Sequence, residues 1–171
     1  MTERSEVLFI GGRAGSGKTS VASALHGLLA ARGITHAVIE GDTLDLAFPP
    51  PWEHGLAEKN LQLLWANYRA LGYRRLIYTN VMCVLEIGKL SAAMGDDPIV
   101  TAVLLDVSDD VMRERLSRRE SLRSLEEHLA RNLARRAFLE QEAPPWVTRV
   151  ATDEKPLDDL ALHLARLAHW L

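Results

Sequence analysis

Short apolar runs alternate along this chain with longer stretches in which apolar positions recur every three or four residues. VLFI (7–10), HAVIE (36–40), RRLIYTNV (74–81), IVTAVLLDV (99–107) and WVTRVA (146–151) form the first set. Val, Ile and Leu dominate them, which predicts strands buried on both faces. Between them lie amphipathic stretches that read as helices. The first starts near Gly17, puts Val21, Leu25, Leu28 and Leu29 on one face, and ends at Arg32-Gly33 as a basic last turn and glycine cap. Others are predicted near 55–71, 83–94, 108–120 and 124–141. The last begins at Pro156 and carries Leu157, Leu160, Leu164, Leu167 and Leu171 as a stripe expected to cover one face of the sheet. Connections this long between strands imply right-handed crossovers. The expectation is an α/β three-layer sandwich: a five-stranded parallel sheet with helices on both faces, in one domain spanning residues 1–171.

Composition narrows the classes. Of 171 residues 47% are apolar and 25% charged, an ordinary globular balance, and the formal net charge of −3 gives no general reason to expect nucleic acid or a membrane as partner. One cysteine, Cys83, rules out an internal disulfide and a cysteine-based zinc site. No stretch approaches the ~18–20 apolar residues of a membrane span. The start, MTERSE, lacks the build of a secretion signal. A cytoplasmic protein, monomer or homodimer, is expected.

The junction between the first strand and the first helix carries the chemistry. Gly12-Arg13-Ala14-Gly15-Ser16-Gly17-Lys18-Thr19, followed by Ser20, fits G-x-x-x-x-G-K-[ST]. Glycines let successive backbone N–H groups turn inward around a polyphosphate, and the helix behind adds its unpaired N–H groups and the positive end of its dipole. Lys18 is placed to reach β- and γ-phosphates, and the Thr19 hydroxyl to ligate Mg²⁺. The strand before and the helix after are the context in which this pattern binds a nucleotide, so a P-loop NTPase fold is expected.

The chain has no N/T-K-x-D element to read a guanine base and no LSGGQ-like stretch. In order of parts it resembles the small-molecule branch of the nucleoside monophosphate kinase-like superfamily. That branch includes shikimate, gluconate and adenylylsulfate kinases, the phosphotransferase that inactivates chloramphenicol, and the tunicamycin-resistance protein. The resemblance implies ATP and Mg²⁺ as cofactors and transfer of the γ-phosphoryl group to a hydroxyl of a small molecule, a metabolite or an antibiotic. Within Ile39-Glu40-Gly41-Asp42-Thr43-Leu44-Asp45 it matches Asp42 to the acidic residue that engages the acceptor or the metal shell, with Asp45 as a second candidate. Asp is also a favoured helix cap, so a capping role for Asp42 stays open.

Arg115-Leu116-Ser117-Arg118-Arg119 matches the family's R-L-x-x-R, which leads into a lid over ATP. On that match Arg115 and Arg119, one helical turn apart, are phosphate ligands. Residues 113 to 136, the expected lid, hold eight arginines against four glutamates, +4 in a chain of −3. Arg131, Arg135 and Arg136 are expected on an ordinary solvated face with Glu–Arg pairs. No aromatic residues interleave the arginines, so nucleic acid is not expected. The strand beside the P-loop strand ends in Thr79-Asn80, where adenylate-type kinases often place a metal-serving aspartate. Asp106 reads as a strand-end residue leading to the lid. Asn80 suits either an acceptor contact or a turn. Trp52, on Phe48-Pro49-Pro50-Pro51-Trp52-Glu53-His54, suits either stacking on a ring or packing down as a loop anchor. Arg69, Arg74 and Arg75 are candidates for an anionic acceptor, although surface exposure explains them equally. No clamp for a nucleoside monophosphate is evident, which points to a neutral or polyhydroxylated acceptor. Thr152-Asp153 matches the family's T-D pair after the last strand without singling out either residue. The alternative function is a nucleotide-binding module without transfer chemistry, such as a resistance protein that sequesters a drug.

Overall fold

The computed structural model describes residues 4–118 and 122–171. Five strands, β1 (Glu6–Gly11), β2 (Ala37–Glu40), β3 (Arg75–Thr79), β4 (Ile99–Asp106) and β5 (Thr148–Ala151), form one sheet. Its order is β2-β3-β1-β4-β5, and every pairing is parallel. Six helices connect or flank them: α1 (Lys18–Ala31), α2 (Leu56–Ala70), α3 (Ile87–Met94), α4 (Asp109–Ser117), α5 (Leu122–Glu142) and α6 (Leu157–Leu167). The predicted sandwich of helices on both faces of a parallel sheet is what forms.

The period of two along each strand sorts the core into two halves. Leu8, Ile10, Ile77, Val103, Leu105 and Val150 meet α1 and α6 on one face. Val7, Phe9, Leu76, Tyr78, Ala102 and Leu104 meet α2, α3 and the end of α5 on the other. Each fully buried Leu, Ile or Phe adds about 1.5–3 kcal/mol of hydrophobic stabilisation. A smaller cluster, Val107, Met112 and Leu116, seats α4 beside the carboxyl edge of the sheet.

Three details depart from the sequence pattern. The stretch predicted as one helix over 83–94 begins as a 3-10 turn, Cys83–Leu85, before α3. Within the C-terminal stripe, Leu160 and Leu164 are buried, but Leu157 and Leu171 are 44% and 43% exposed. The helix ends at Leu167, and Ala161, Ala165, Ala168 and Trp170 complete that face instead. Trp52 is 76% exposed, so it is no packed-down anchor.

Candidate functional site: a phosphate loop facing a locked carboxylate

β1 delivers the chain to the carboxyl edge of the sheet, where open α/β sheets bind ligands. Gly12 turns it with φ +145, and a Cβ there would lie 2.6 Å from Ser16 Oγ and 2.9 Å from the Leu105 carbonyl oxygen. No other residue type fits that turn. The loop then runs over α4, whose Met112 and Leu116 lie under Gly15. It feeds α1 through Gly17. The first N–H groups of α1 have no intrahelical partner, and Lys18, Thr19 and Ser20, which carry them, line a cavity of about 530 Å³. Ala14, Gly15, Ser16, Gly17, Asp42, Arg115, Leu116, Thr152 and Lys155 also line it.

Lys18 folds back over its own loop, its Nζ donating to the carbonyls of Gly12 at 2.7 Å and Arg13 at 3.2 Å. Burial lowers its proton affinity, while the charge of Asp42 opposes that shift. An ammonium that has lost water but holds only two carbonyls is poised to exchange them for phosphate oxygens. Thr19 is exposed to the cavity. Arg115 donates from Nη1 to the Gly15 carbonyl at 3.0 Å and from Nη2 to the Thr152 carbonyl at 3.3 Å. Its guanidinium is thereby fixed beside the loop, within 3.7 Å of where a Gly17 Cβ would be.

Asp42 lies just beyond the end of β2, in a 3-10 turn at Gly41–Thr43. Gly41 is required there by a close approach: a Cβ would fall 2.2 Å from the Tyr78 hydroxyl oxygen. Asn80, one residue beyond β3, donates from Nδ2 to Asp42 Oδ1 at 2.7 Å. Asn80 Oδ1 in turn accepts from the Met82 N–H at 2.7 Å. Both ends of the amide are spoken for, so its orientation is set and Asp42 is held by it. Asn80 therefore takes the turn role and spends its donor on the carboxylate. Cys83, fully buried, donates to the Asn80 carbonyl, and burial pushes its thiol up to about 12. It is no nucleophile at neutral pH.

Several predicted residues lie elsewhere. The Arg13 side chain points away from the loop's mouth, 2% exposed, donating to the Val107 carbonyl and Asp109 Oδ1, both at 2.6 Å. Arg13 can offer phosphate its backbone alone. Arg119 lies outside the described residues. Arg69 pairs with Asp96, Arg75 with Glu6, and Arg74 binds the carbonyls of Arg69 and Tyr73, all at the amino edge of the sheet. Arg136 is not the simple solvated pair expected: besides Glu140 at 3.1 Å it reaches Asp106 at 3.2 Å and Asp109 at 3.3 Å. Arg135 stands near enough to Lys18 to lower its proton affinity. Asp106 ends β4 and spends its carboxylate on Arg136, away from the cavity.

The Thr152-Asp153 pair, matched to the family after the last strand without either residue singled out, turns out to have a structural task for each. Thr152 is 2% exposed, its hydroxyl 3.1 Å from the Ser16 carbonyl and 3.2 Å from that of Asp106. Asp153 accepts from the Ser108 N–H at 3.1 Å and its hydroxyl at 2.9 Å. Together they bolt the loop, β4 and α4 into one unit. The signal was present as a Thr-Asp directly after the strand at the sheet's edge, but the sequence does not say what faces it.

The fold is similar to that of several solved small-molecule kinases, and the loop lies in the segment that a family model matches. Residues 4–50, which include the loop and Asp42, match the family model of adenylylsulphate kinase. The tunicamycin resistance protein of Deinococcus radiodurans superposes with a TM-score of 0.63 at 21% identity, covering 95% of each chain. The adenylylsulphate kinase of Mycobacterium tuberculosis, solved with AMPPNP and APS, gives 0.56 at 20% identity over 97% of this chain and 98% of that one. A gluconokinase from Sinorhizobium meliloti gives 0.57 at 24% identity over 98% and 96%. No curated protein sequence matches. Among the described residues no helix is long and apolar enough to cross a membrane.

Proposed function

We propose that the protein transfers the γ-phosphoryl group of Mg·ATP to a hydroxyl of a small molecule. The observation that carries this is one cavity holding the phosphate loop on one wall and, facing it, a carboxylate oriented by an amide. The neighbour solved with AMPPNP supports the choice of nucleotide. Loop N–H groups and Lys18 bind the phosphates, and Arg115 takes up charge on the side of α4. The Thr19 hydroxyl and Asp42 carboxylate are hard oxygen donors lining the same cavity, a set that suits Mg²⁺ with water completing its shell. When bound, the ion neutralises charge on the phosphates.

In the transfer, the acceptor oxygen bonds to the γ-phosphorus as the bond to the β–γ bridging oxygen breaks, its electron pair leaving with ADP. The acceptor's proton passes to Asp42 late in that step. Phosphoryl transfer depends mainly on positioning and electrostatics, so this small set of groups suffices. Arg119, from the segment expected to close over ATP, would add a further cation.

One observation favours a nucleotide-binding module without transfer: β3 ends at Thr79 and is followed by Asn80, with no acidic residue there, and the Asn80 amide donates to Asp42. ADP release from Mg·ATP across a panel of hydroxyl acceptors, run beside Asp42→Asn, separates the two. Release stimulated by an acceptor and reduced at least 100-fold in the variant, with nucleotide affinity kept, supports transfer. Slow hydrolysis indifferent to every acceptor and to the substitution would leave the binding module.

A further inference from the structure

We infer that the acceptor is an alcohol with no anionic group, carrying an aromatic or alkyl portion that the loop over residues 44–54 covers. This rests on the phosphotransfer reading above and adds the substrate class. Two independent features carry it, one apolar and one electrostatic.

The chain leaves Asp42 and crosses to α2 by a loop whose base is fastened. Leu44 is buried, and Asn60 Nδ2 holds its carbonyl at 2.6 Å. Beyond that anchor, Leu46, Phe48 and Trp52 are 81%, 97% and 76% exposed. Single exposed apolar residues are ordinary, but three large ones within seven positions of one loop, four to ten residues beyond Asp42, are a concentration that suits a binding surface. Pro49, Pro50 and Pro51 lie between the two aromatic residues and limit the entropy lost when they close on a ligand.

The electrostatics select what that ligand is. Residues 40–58 contain five carboxylates and no lysine or arginine, and residues 76–88 contain Glu86 and again none; the cations that follow directly, Lys59 and Lys89, are exposed on α2 and α3, so the balance across 40–59 and 76–89 is six carboxylates against two lysines. Burial raises the pKa of the Tyr78 hydroxyl, and the charges of Cys83, Glu86, Asp42 and Asp45 add to that rise. A carboxylate or sulfate on the acceptor would meet these groups. The arginines that might have answered it are committed elsewhere. Arg69, Arg74 and Arg75 are bound at the opposite edge of the sheet, Arg136 is held by three carboxylates, and Arg135 acts on Lys18, toward the phosphates. The segments on either side of Asp42 thus carry an excess of negative charge and exposed apolar area.

The test uses two matched pairs in which a CH₂OH becomes a carboxylate: phenyl β-D-glucoside with phenyl β-D-glucuronide, and 3-phenylpropane-1,2-diol with 3-phenyllactate. Binding to the full chain saturated with Mg·AMPPNP is measured by calorimetry, and ADP release is followed separately with Mg·ATP. The neutral member of at least one pair should bind tenfold or more tightly than its anionic partner. The double substitution Phe48→Ala with Trp52→Ala should weaken that binding at least fivefold and leave AMPPNP affinity unchanged. Tighter binding of the anionic members, or binding of none of the four, overturns the inference. So does a dimer that the double substitution dissociates without affecting ligand binding, since the patch would then belong to a second copy. Discrimination between the pairs without ADP release keeps the ligand class and removes transfer. ADP release stimulated by an anionic acceptor keeps transfer and removes the class.

Discussion

Thr152→Val tests whether the loop is held from behind. Valine has the shape of threonine but sets a methyl in place of a hydroxyl at a residue 2% exposed, so the change removes the hydroxyl's bonds, including the one it accepts from Arg115 at 3.5 Å, with little change of volume. The hydroxyl lies 3.1 Å from the carbonyl of Ser16, a residue with no solvent exposure, and 3.2 Å from that of Asp106. The Asp106 carbonyl keeps the Thr152 N–H at 2.8 Å, so its loss is small. The Ser16 carbonyl loses this donor with no water to replace it, which costs about 1–3 kcal/mol. Taking about 2 kcal/mol, a chain of this size should melt roughly 4–8 °C lower. If half of that appears as loosening of the loop, ADP affinity falls about fivefold. Urea denaturation with and without ADP, and calorimetric ADP binding, read the two parts separately. Thr152→Ser, which keeps the hydroxyl, should retain most of the ADP affinity. A Thr152→Val protein within about 0.5 kcal/mol of the parent, with unchanged ADP affinity, would refute the argument that this strap shapes the loop.

Three other outcomes follow from particular geometries. Gly12→Ala forces a Cβ against backbone at φ +145, so soluble yield or melting temperature should drop and ADP binding should be lost; a folded variant with parental affinity would count against the loop's conformation. Asn80→Ala removes one exposed hydrogen bond to a charged group, about 1.5 kcal/mol, and should lower acceptor-stimulated turnover about tenfold with ADP affinity unchanged. Asn80→Asp, which sets a second carboxylate against Asp42, should be worse than alanine, and equal rates for the two variants would contradict that. Burial holds the His36 pKa below 6.5 in the folded state. The unfolded chain therefore takes up its proton first as pH falls, so this contribution is whole above about 6.5 and fades below it. His36→Gln should flatten the stability profile in that window, measured by denaturation between pH 5 and 8.

The fold was legible because its strands are apolar on both faces and its connections are long, two properties a linear pattern records. The loop was legible because its residues are contiguous. What escaped was every contact made at long sequence separation by residues of ordinary type. Arg13 looked like a loop member facing phosphate, yet its side chain turns back to the carbonyl of Val107 and the carboxylate of Asp109. Thr152 matched a family pair without a role until the structure set it behind Ser16. Arg135 and Arg136 are neighbours on α5 and read alike. One acts on Lys18 and the other binds three carboxylates, because adjacent helix positions point about 100° apart. Trp52 was undecided because exposure depends on whether anything packs over a loop, which local composition does not encode.

The charged groups behind the loop give the site a mechanical logic. Arg13 is almost wholly buried with Asp109 as its carboxylate partner, an arrangement that rarely gains stability once desolvation is counted. Asp109 stands in the first turn of α4, and the Arg13 guanidinium holds its carboxyl below the usual range. The same carboxylate takes Arg136 from α5. A single acidic side chain thus joins the phosphate loop to α5, the helix that carries most of the segment expected to close over ATP, while Arg115 ties α4 to Gly15 from the cavity side. Displacing α5 would disturb the bonds of Asp109, and through Arg13 the loop whose N–H groups must face phosphate. A neutral residue in place of Arg13 would relieve the burial cost but cut that connection. The loop could then be more stable while losing its dependence on where α5 stands.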